Sequence, residues 1–451
     1  MPVSAELISI LALVAMFVVA TVLPVNLGAL AFVGAFLVGT LAAGMSTDDI
    51  LGAFPGNLFV ILVGITYLFA IATRNGTVDW LVRAAVRAVR GRLGAIPLVM
   101  FVISALLTAI GAPAPAVAAI LAPIAFGFAA EYRMHALMIG LMVAHGTQAG
   151  AFSPISVLGG IVNQVVLDAG LPKNDIVLFL AGFFFNTAAA VIVFLIFGGL
   201  RLLRRGSVAP PAAAPAPAGA PAGPAGTAPG TATATATATE ARTGADLTTS
   251  LRPTPHQALT LAGLVALCVA VLVFQLDVGL TAITVAVLLS LTARGSQKGI
   301  VEKIAWSTVL LVGGVVTYVG VLQEIGTIDY VGGAVAGIGA PLVAALLICY
   351  VGGVVSAFAS SVGILGALIP LAVPFLLQGE LGAVGLIAAL SVSSTIVDVS
   401  PFSTTGALLV ANARGMETAV FYRGLLVYGA VVVAVGPALT WLVLVAPGWL
   451  G

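Results

Sequence analysis

Long apolar runs alternate along the chain with short polar or Pro/Gly-rich interruptions. A helix needs about 20 apolar residues to cross the hydrocarbon layer of a membrane. Runs that meet or approach this length lie at about 5–23, 26–44, 57–73, 133–151, 176–200, 257–274, 278–294, 306–322, 383–398 and 424–446. The first has no basic leading segment and runs straight into the second, so it reads as a retained span rather than a signal peptide. Two further apolar segments, 95–129 and 340–379, are too long for one helix and break in the middle. The first breaks at Gly111-Ala112-Pro113-Ala114-Pro115 and the second near Ser360-Ser361-Val362-Gly363. Arms of about 15 residues at ~1.5 Å rise fall short of a ~30 Å core, so each segment predicts a re-entrant helical hairpin with its tip at the midplane. Two tightly packed, kinked spans are the alternative.

The pattern occurs twice. Residues 104–160 align without gaps on 351–407, matching Pro123 with Pro370, Ser153-Pro154 with Ser400-Pro401, Ser156 with Ser403 and Gly159 with Gly406. Identity is cheap in Ala- and Leu-rich sequence, so the weight rests on Pro, Ser and Gly, which lie where helices must break. Upstream, Gly76-Thr77-Val78-Asp79-Trp80 pairs with Gly326-Thr327-Ile328-Asp329-Tyr330. The prediction is an all-α polytopic membrane protein of two inverted-topology repeats, each with a re-entrant hairpin and a broken transmembrane helix. Residues 1–205 form the first repeat, preceded by one extra span, and 253–451 the second. The Ala/Pro/Gly/Thr tract between them, 206–252, has too little apolar bulk to offset chain entropy and reads as a disordered cytoplasmic linker.

Charge supplies the orientation. Arg74, Arg83, Arg87, Arg90 and Arg92 follow the 57–73 span and belong in the cytoplasm, whereas the equivalent segment 323–340 has Glu324 and Asp329 but no Lys or Arg. Tracing the spans from there puts every Lys and Arg except Lys173 on the cytoplasmic side, with the repeats inverted. Composition agrees with a membrane location: 61% of residues are hydrophobic and 7% charged, against roughly 25% charged in soluble domains. A net charge of +1 gives no basic footprint for nucleic acid. Two cysteines, Cys268 and Cys349, build neither a disulfide framework nor a metal cluster and read as packing residues.

Candidate chemistry concentrates at the interruptions. The breaks Phe152-Ser153-Pro154-Ile155-Ser156 and Val399-Ser400-Pro401-Phe402-Ser403-Thr404-Thr405 follow the two hairpins. Helix N-termini there offer N–H groups and a positive dipole end to a carboxylate, while freed carbonyls suit a cation. The predicted substrate-binding residues are Ser153, Ser156, Ser360, Ser361, Ser400, Ser403, Thr404, Thr405 and Gln148, with helix breaks at Pro113, Pro115, Pro154 and Pro401. Hydroxyls that bond back to their own backbone are the plain alternative. Asp398 stands inside a span, where an unpaired carboxylate costs at least about 2.5 kcal/mol, and is the first candidate for ion coupling. His145 is the second, although a neutral imidazole satisfied in the core is an equal reading. No HExxH, Gly-x-Ser-x-Gly or paired intramembrane aspartate argues for an enzyme.

The Gly-Thr-Val-Asp-Trp segment at 76–80, the Arg-rich run after it, and His145-Gly146-Thr147-Gln148-Ala149-Gly150-Ala151-Phe152-Ser153-Pro154 carry a family likeness. The architecture resembles the divalent anion:sodium symporters of the ion transporter superfamily, and the N-terminal 200 residues are similar to the dicarboxylate carrier MatC family. The resemblance implies two hairpins, a central site shared by both repeats, a small dicarboxylate such as malonate, elevator-type motion and a homodimer in the lipid bilayer. No cofactor is expected beyond Na+ or H+ as coupling ion. The symporters carry a Ser-Asn-Thr signature at their hairpin tips, where this chain has Pro113-Ala114-Pro115 and Ser360-Ser361-Val362, so sodium coupling does not carry over. The expectation is a secondary transporter of the plasma membrane, with an inorganic-ion antiporter as rival.

Overall fold

The computed structural model describes residues 4–23, 25–88, 92–204, 252–292, 299–336, 340–357, 361–377 and 381–450. Ser360 and the linker up to residue 251 lie outside the described residues. The elements of the first half are α1 (Ala5–Val22), α2 (Leu27–Leu37, continued by a π turn Val38–Ala42), α3 (Thr47–Gly52), α4 (Gly56–Arg74), α5 (Thr77–Ala88), α6 (Ala95–Ala109), α7 (Ala114–Glu131), α8 (Ala136–Gly150), α9 (Val157–Asp168), α10 (Asp175–Ile196) and α11 (Gly199–Arg204). The second half follows with α12 (Pro255–Leu272), α13 (Val278–Thr292), a 3-10 turn at Val301–Lys303, α14 (Trp306–Ile325), α15 (Thr327–Ala336), α16 (Pro341–Ser356), α17 (Ser361–Leu377), α18 (Ala383–Ile396), a 3-10 turn at Val397–Val399, α19 (Thr404–Asn412) and α20 (Thr418–Leu444). Eight of these segments are long and apolar enough to cross a membrane. The protein is an all-helical, multi-pass membrane protein.

Short polar residues start the helices where the sequence leaves N–H groups open. Asn26 accepts from the backbone of Gly28 and Ala29 at the head of α2, and Asn174 from Val177 at the head of α10. Ser46 with Asp49 and Thr254 with Gln257 close reciprocal capping boxes on α3 and α12. The Ser46 hydroxyl and backbone beside Asp49, a fully exposed group, hold its carboxyl below the usual carboxylate range.

The two halves repeat the same order of elements, and α12 stands to the second half as α1 stands to the first. The leading helices are exchanged between halves: α2 packs on α14, and α13 packs on α4. Glycines permit both crossings. A side-chain carbon on Gly28 would collide with the backbone of Leu310 and Leu311, and one on Gly279 with the backbone of Val60 and Ile61. Polar ties follow the same exchange. Ser9 of α1 meets Thr327 of α15 at 2.8 Å, and Tyr318 donates to the Ser9 carbonyl at 2.7 Å. In the mirrored place, Asn75 donates to Thr260 of α12 at 2.7 Å.

A second group of helices encloses the broken elements. α8 is buried along its whole length and α18 nearly so. α8 lies among α6, α7 and α10, and α18 among α16, α17 and α20. The second arm of each hairpin, α6–α7 or α16–α17, packs on the post-break helix of the other half: α7 on α19, and α17 on α9. The symmetry stops at the leading helices. α17 leans on α14 and α15, whereas α7 makes no comparable contact with α4 and α5, and α4 meets α9 instead.

Candidate functional site

The two breaks fold by one local rule. Ser156 accepts from Gly159 N at 3.1 Å and donates back to the Ser153 carbonyl at 2.6 Å. Ser403 accepts from Gly406 N at 3.0 Å and donates to the Ser400 carbonyl at 2.8 Å. Ser156 and Ser403 are thus the N-caps of α9 and α19. Gly159 and Gly406 sit so close to the carbonyls of Ser153 and Ser400 that a side-chain carbon has no room. The repeated Ser-Pro-x-Ser-x-x-Gly spacing is therefore explained by turn geometry: Pro154 and Pro401 have no N–H to continue a helix, and the second serine starts the next one. Of the predicted hydroxyls, Ser156 and Ser403 are occupied with their own backbone. Ser153 and Ser400 each accept only one long bond, from Ile155 N at 3.4 Å and Phe402 N at 3.3 Å. Thr405 is buried in the first turn of α19 and Thr404 is exposed.

Pro113 and Pro115 stand at the break between α6 and α7. Pro113 caps α7 and Pro115 lies in its first turn, where a missing N–H costs nothing. The chain reverses at Gly111, whose φ of +112° favours glycine. A side-chain carbon at Gly111 would come 3.1 Å from the Ile155 carbonyl, so this tip rests on the first break.

Asp398 sits in the 3-10 turn that ends α18 and is partly exposed. Its Oδ1 accepts from Ser361 Oγ at 2.6 Å, and its Oδ2 from Gln148 Nε2 at 3.1 Å. Ser361 opens α17 at the tip of the second hairpin, and Gln148 ends α8 of the first half. The carboxylate therefore ties the hairpin of one repeat to the broken helix of the other. Ser356, at the end of α16, donates to Ser361 at 2.9 Å and extends the line. The Gln148 Oε1 atom is buried without a partner among the described residues. Both donors to Asp398 are neutral.

His145 is not part of this group. Its Nδ1 faces Asn186 Oδ1 at 2.9 Å and its Nε2 faces the Tyr428 hydroxyl at 2.6 Å. Asn186 in turn donates to the Gly182 carbonyl at 2.9 Å, so its Oδ1 is left as an acceptor. These partners assign the ring proton to Nδ1 and make Nε2 the acceptor of Tyr428. The result is a satisfied core imidazole joining α8, α10 and α20. Asn186 and Tyr428 carried no signal in the sequence beyond being polar in apolar runs. Cys268 and Cys349 are free, and among the described residues no three His, Cys, Asp or Glu side chains converge as metal ligands.

Comparison with known proteins adds a family and a fold. Residues 3–151 match the family model described as dicarboxylate carrier protein MatC N-terminus. No curated protein matches the chain. Among solved structures, the YdaH transporter of Alcanivorax borkumensis, reported to have an unusual topology, has a TM-score of 0.55 at 14% identity over 88% of this chain and 87% of that one. MtrF of Neisseria gonorrhoeae, presented as illuminating a class of antimetabolite efflux pumps, has a TM-score of 0.56 at 15% identity over 98% and 96% of the two chains. At such identities the likeness is one of fold. The protein is a multi-pass membrane protein that shares the fold of these two transporters, and its N-terminal third, residues 3–151, is similar to the N-terminus of the dicarboxylate carrier protein MatC.

Proposed function

We propose that the protein is a secondary transporter that moves a small dicarboxylate such as malonate across the plasma membrane, coupled to a proton or sodium gradient. The observation that carries the coupling is Asp398, a carboxylate held by one neutral donor from each repeat. A carboxylate inside a membrane span that is met by neutral donors is costly, and taking up and releasing a positive charge during the cycle accounts for its presence. The likeness of residues 3–151 to a dicarboxylate carrier supports the choice of substrate. Ser153 and Ser400, which unlike Ser156 and Ser403 do not donate back to a backbone carbonyl at the breaks, face its two carboxylates, with Ser361 and Thr405 beside them. Alternating access fits the broken symmetry: the second arm of the second hairpin, α17, leans on α14 and α15, while the matching arm of the first, α7, makes no comparable contact with α4 and α5. Exchange of these two arrangements, with both hairpins re-entrant, opens the shared site to opposite sides. A homodimer is the expected assembly.

The test is uptake of labelled malonate into proteoliposomes, with sodium and pH gradients imposed separately and succinate as competitor. Gradient-driven accumulation, lost in Asp398→Asn, supports the reading. No uptake by folded protein under either gradient removes the dicarboxylate and favours the exchange of inorganic ions.

A further inference from the structure

One face of α18 carries more hydroxyls than its hydrogen bonds use. Ser391, Ser394 and Asp398 recur at i, i+3 and i+7 and therefore share one side of the helix. Ser391 and Ser394 are both 0% exposed, and neither hydroxyl has a hydrogen-bond partner among the described residues. Their neighbours are satisfied in the ordinary way: Ser393 bonds the Ala389 carbonyl at 2.6 Å and Thr395 the Ser391 carbonyl at 3.0 Å. An unpartnered buried hydroxyl is costly, and ordered water is its usual remedy.

The orphaned oxygens lead to the acid. A side-chain carbon on Gly352 would come 2.7 Å from Ser394 Oγ, so this hydroxyl lies against the bare backbone of α16. One turn along the same face of α16 is Ser356, which passes through Ser361 to Asp398 Oδ1. On the other side of the carboxylate, Gln148 Oε1 is also buried without a partner among the described residues. In the first repeat the corresponding positions are Ala144, Thr147 and Ala151, and Thr147 is bonded to the Ala144 carbonyl at 2.7 Å. Among the described residues, the buried serine and threonine hydroxyls without a partner lie in the half that has the acid.

We infer that Ser391 and Ser394 hold water molecules that form a proton path along α18 ending on Asp398, so that the proton and not sodium is the coupling ion. This rests on the reading of Asp398 as the coupling acid and deepens it. Ser391 and Asp398 are seven residues apart, about 10 Å along a helix, too far for their oxygens to converge on one cation whose ligands lie at about 2.5 Å. A water chain spans that distance. Each water takes a proton from the one before it and gives one to the next, and the carboxylate takes up the last, leaving the hydroxyls neutral. The titratable groups on elements packed against α18 are otherwise engaged or remote from a carboxylate role. His145 of α8 and Tyr428 of α20 bond each other, Tyr350 of α16 donates to the Ala434 carbonyl, Asp175 of α10 pairs with Lys173, and Cys349 of α16 is a buried free thiol. Tyr422 and Arg423 lie near the start of α20, and α17 carries no titratable residue.

Infrared difference spectra of the full-length protein in lipid, taken between acid and alkaline buffer, read the protonated carboxyl directly. The Asp398→Asn variant identifies the Asp398 band by its loss. On transfer to heavy water, deuteration of that band in Ser391→Ala and Ser394→Ala is expected to slow by about tenfold, the effect of losing a hydrogen bond from the chain. Ser393→Ala, which faces Thr440, should leave the rate unchanged. Equal rates in wild type, both variants and the double variant, each with native helix content, overturn the path. A sodium dependence of malonate uptake at constant pH also overturns it. Absence of any band lost in Asp398→Asn overturns instead the reading of Asp398 as the coupling acid.

Discussion

His145 is held at both ring nitrogens, and this sets what its partners do when changed. Tyr428→Phe removes the donor to Nε2 and leaves a buried acceptor unmet, which costs about 1–3 kcal/mol. Thermal unfolding in detergent should show that loss, while malonate uptake per folded molecule stays near wild type if the network only positions helices. A proportionate collapse of uptake would place His145 in transport itself. Asp398 and His145 were both visible in the sequence because ionisable groups are rare in apolar runs. Their partners were not visible: Gln148 and Ser361 reach Asp398 from α8 and α17, and only the folded chain brings those ends together. Ser391 and Ser394 escaped notice because serine in a helix ordinarily bonds its own backbone.

At the scale of single elements, the breaks are the clearest case of local sequence deciding local structure. Ser156→Ala and Ser403→Ala each remove an N-cap, with an expected cost of about 0.5–2 kcal/mol. Ser153→Ala and Ser400→Ala should leave stability nearly intact and weaken uptake, measured as a raised KM for malonate. If all four variants behave alike, the division between capping and binding hydroxyls is wrong. The sequence pattern located both breaks and the arms of both hairpins. At the first hairpin the break falls where Pro113 and Pro115 stand, as the cap and first turn of α7, positions that proline suits because its N–H would have no partner there. The pattern began the last span at 424, whereas α20 starts at Thr418, because Tyr422 and Arg423 hide the first turns from an apolar criterion.

The arrangement of the whole molecule depends on the exchanged leading helices. Gly28→Leu and Gly279→Leu must push apart α2 from α14 and α13 from α4, since the obstacle is backbone in both cases. Overpacking of this kind costs about 1–3 kcal/mol or more, and the yield of folded protein in the membrane should fall for each variant to a similar degree. A strong effect at one crossing alone would contradict their equivalence. The duplication itself was readable from Ser-Pro and Gly matches at constant spacing, but the exchange was not, because packing partners leave no trace in apolar periodicity. That exchange also bears on how the chain enters the membrane during synthesis. Ser9 bonds Thr327, 318 residues later in the chain. The first two helices must wait in lipid with a glycine-lined face uncovered until α14 and α15 of the second repeat have been made, so an N-terminal fragment that ends before them lacks the partners of its own leading helices.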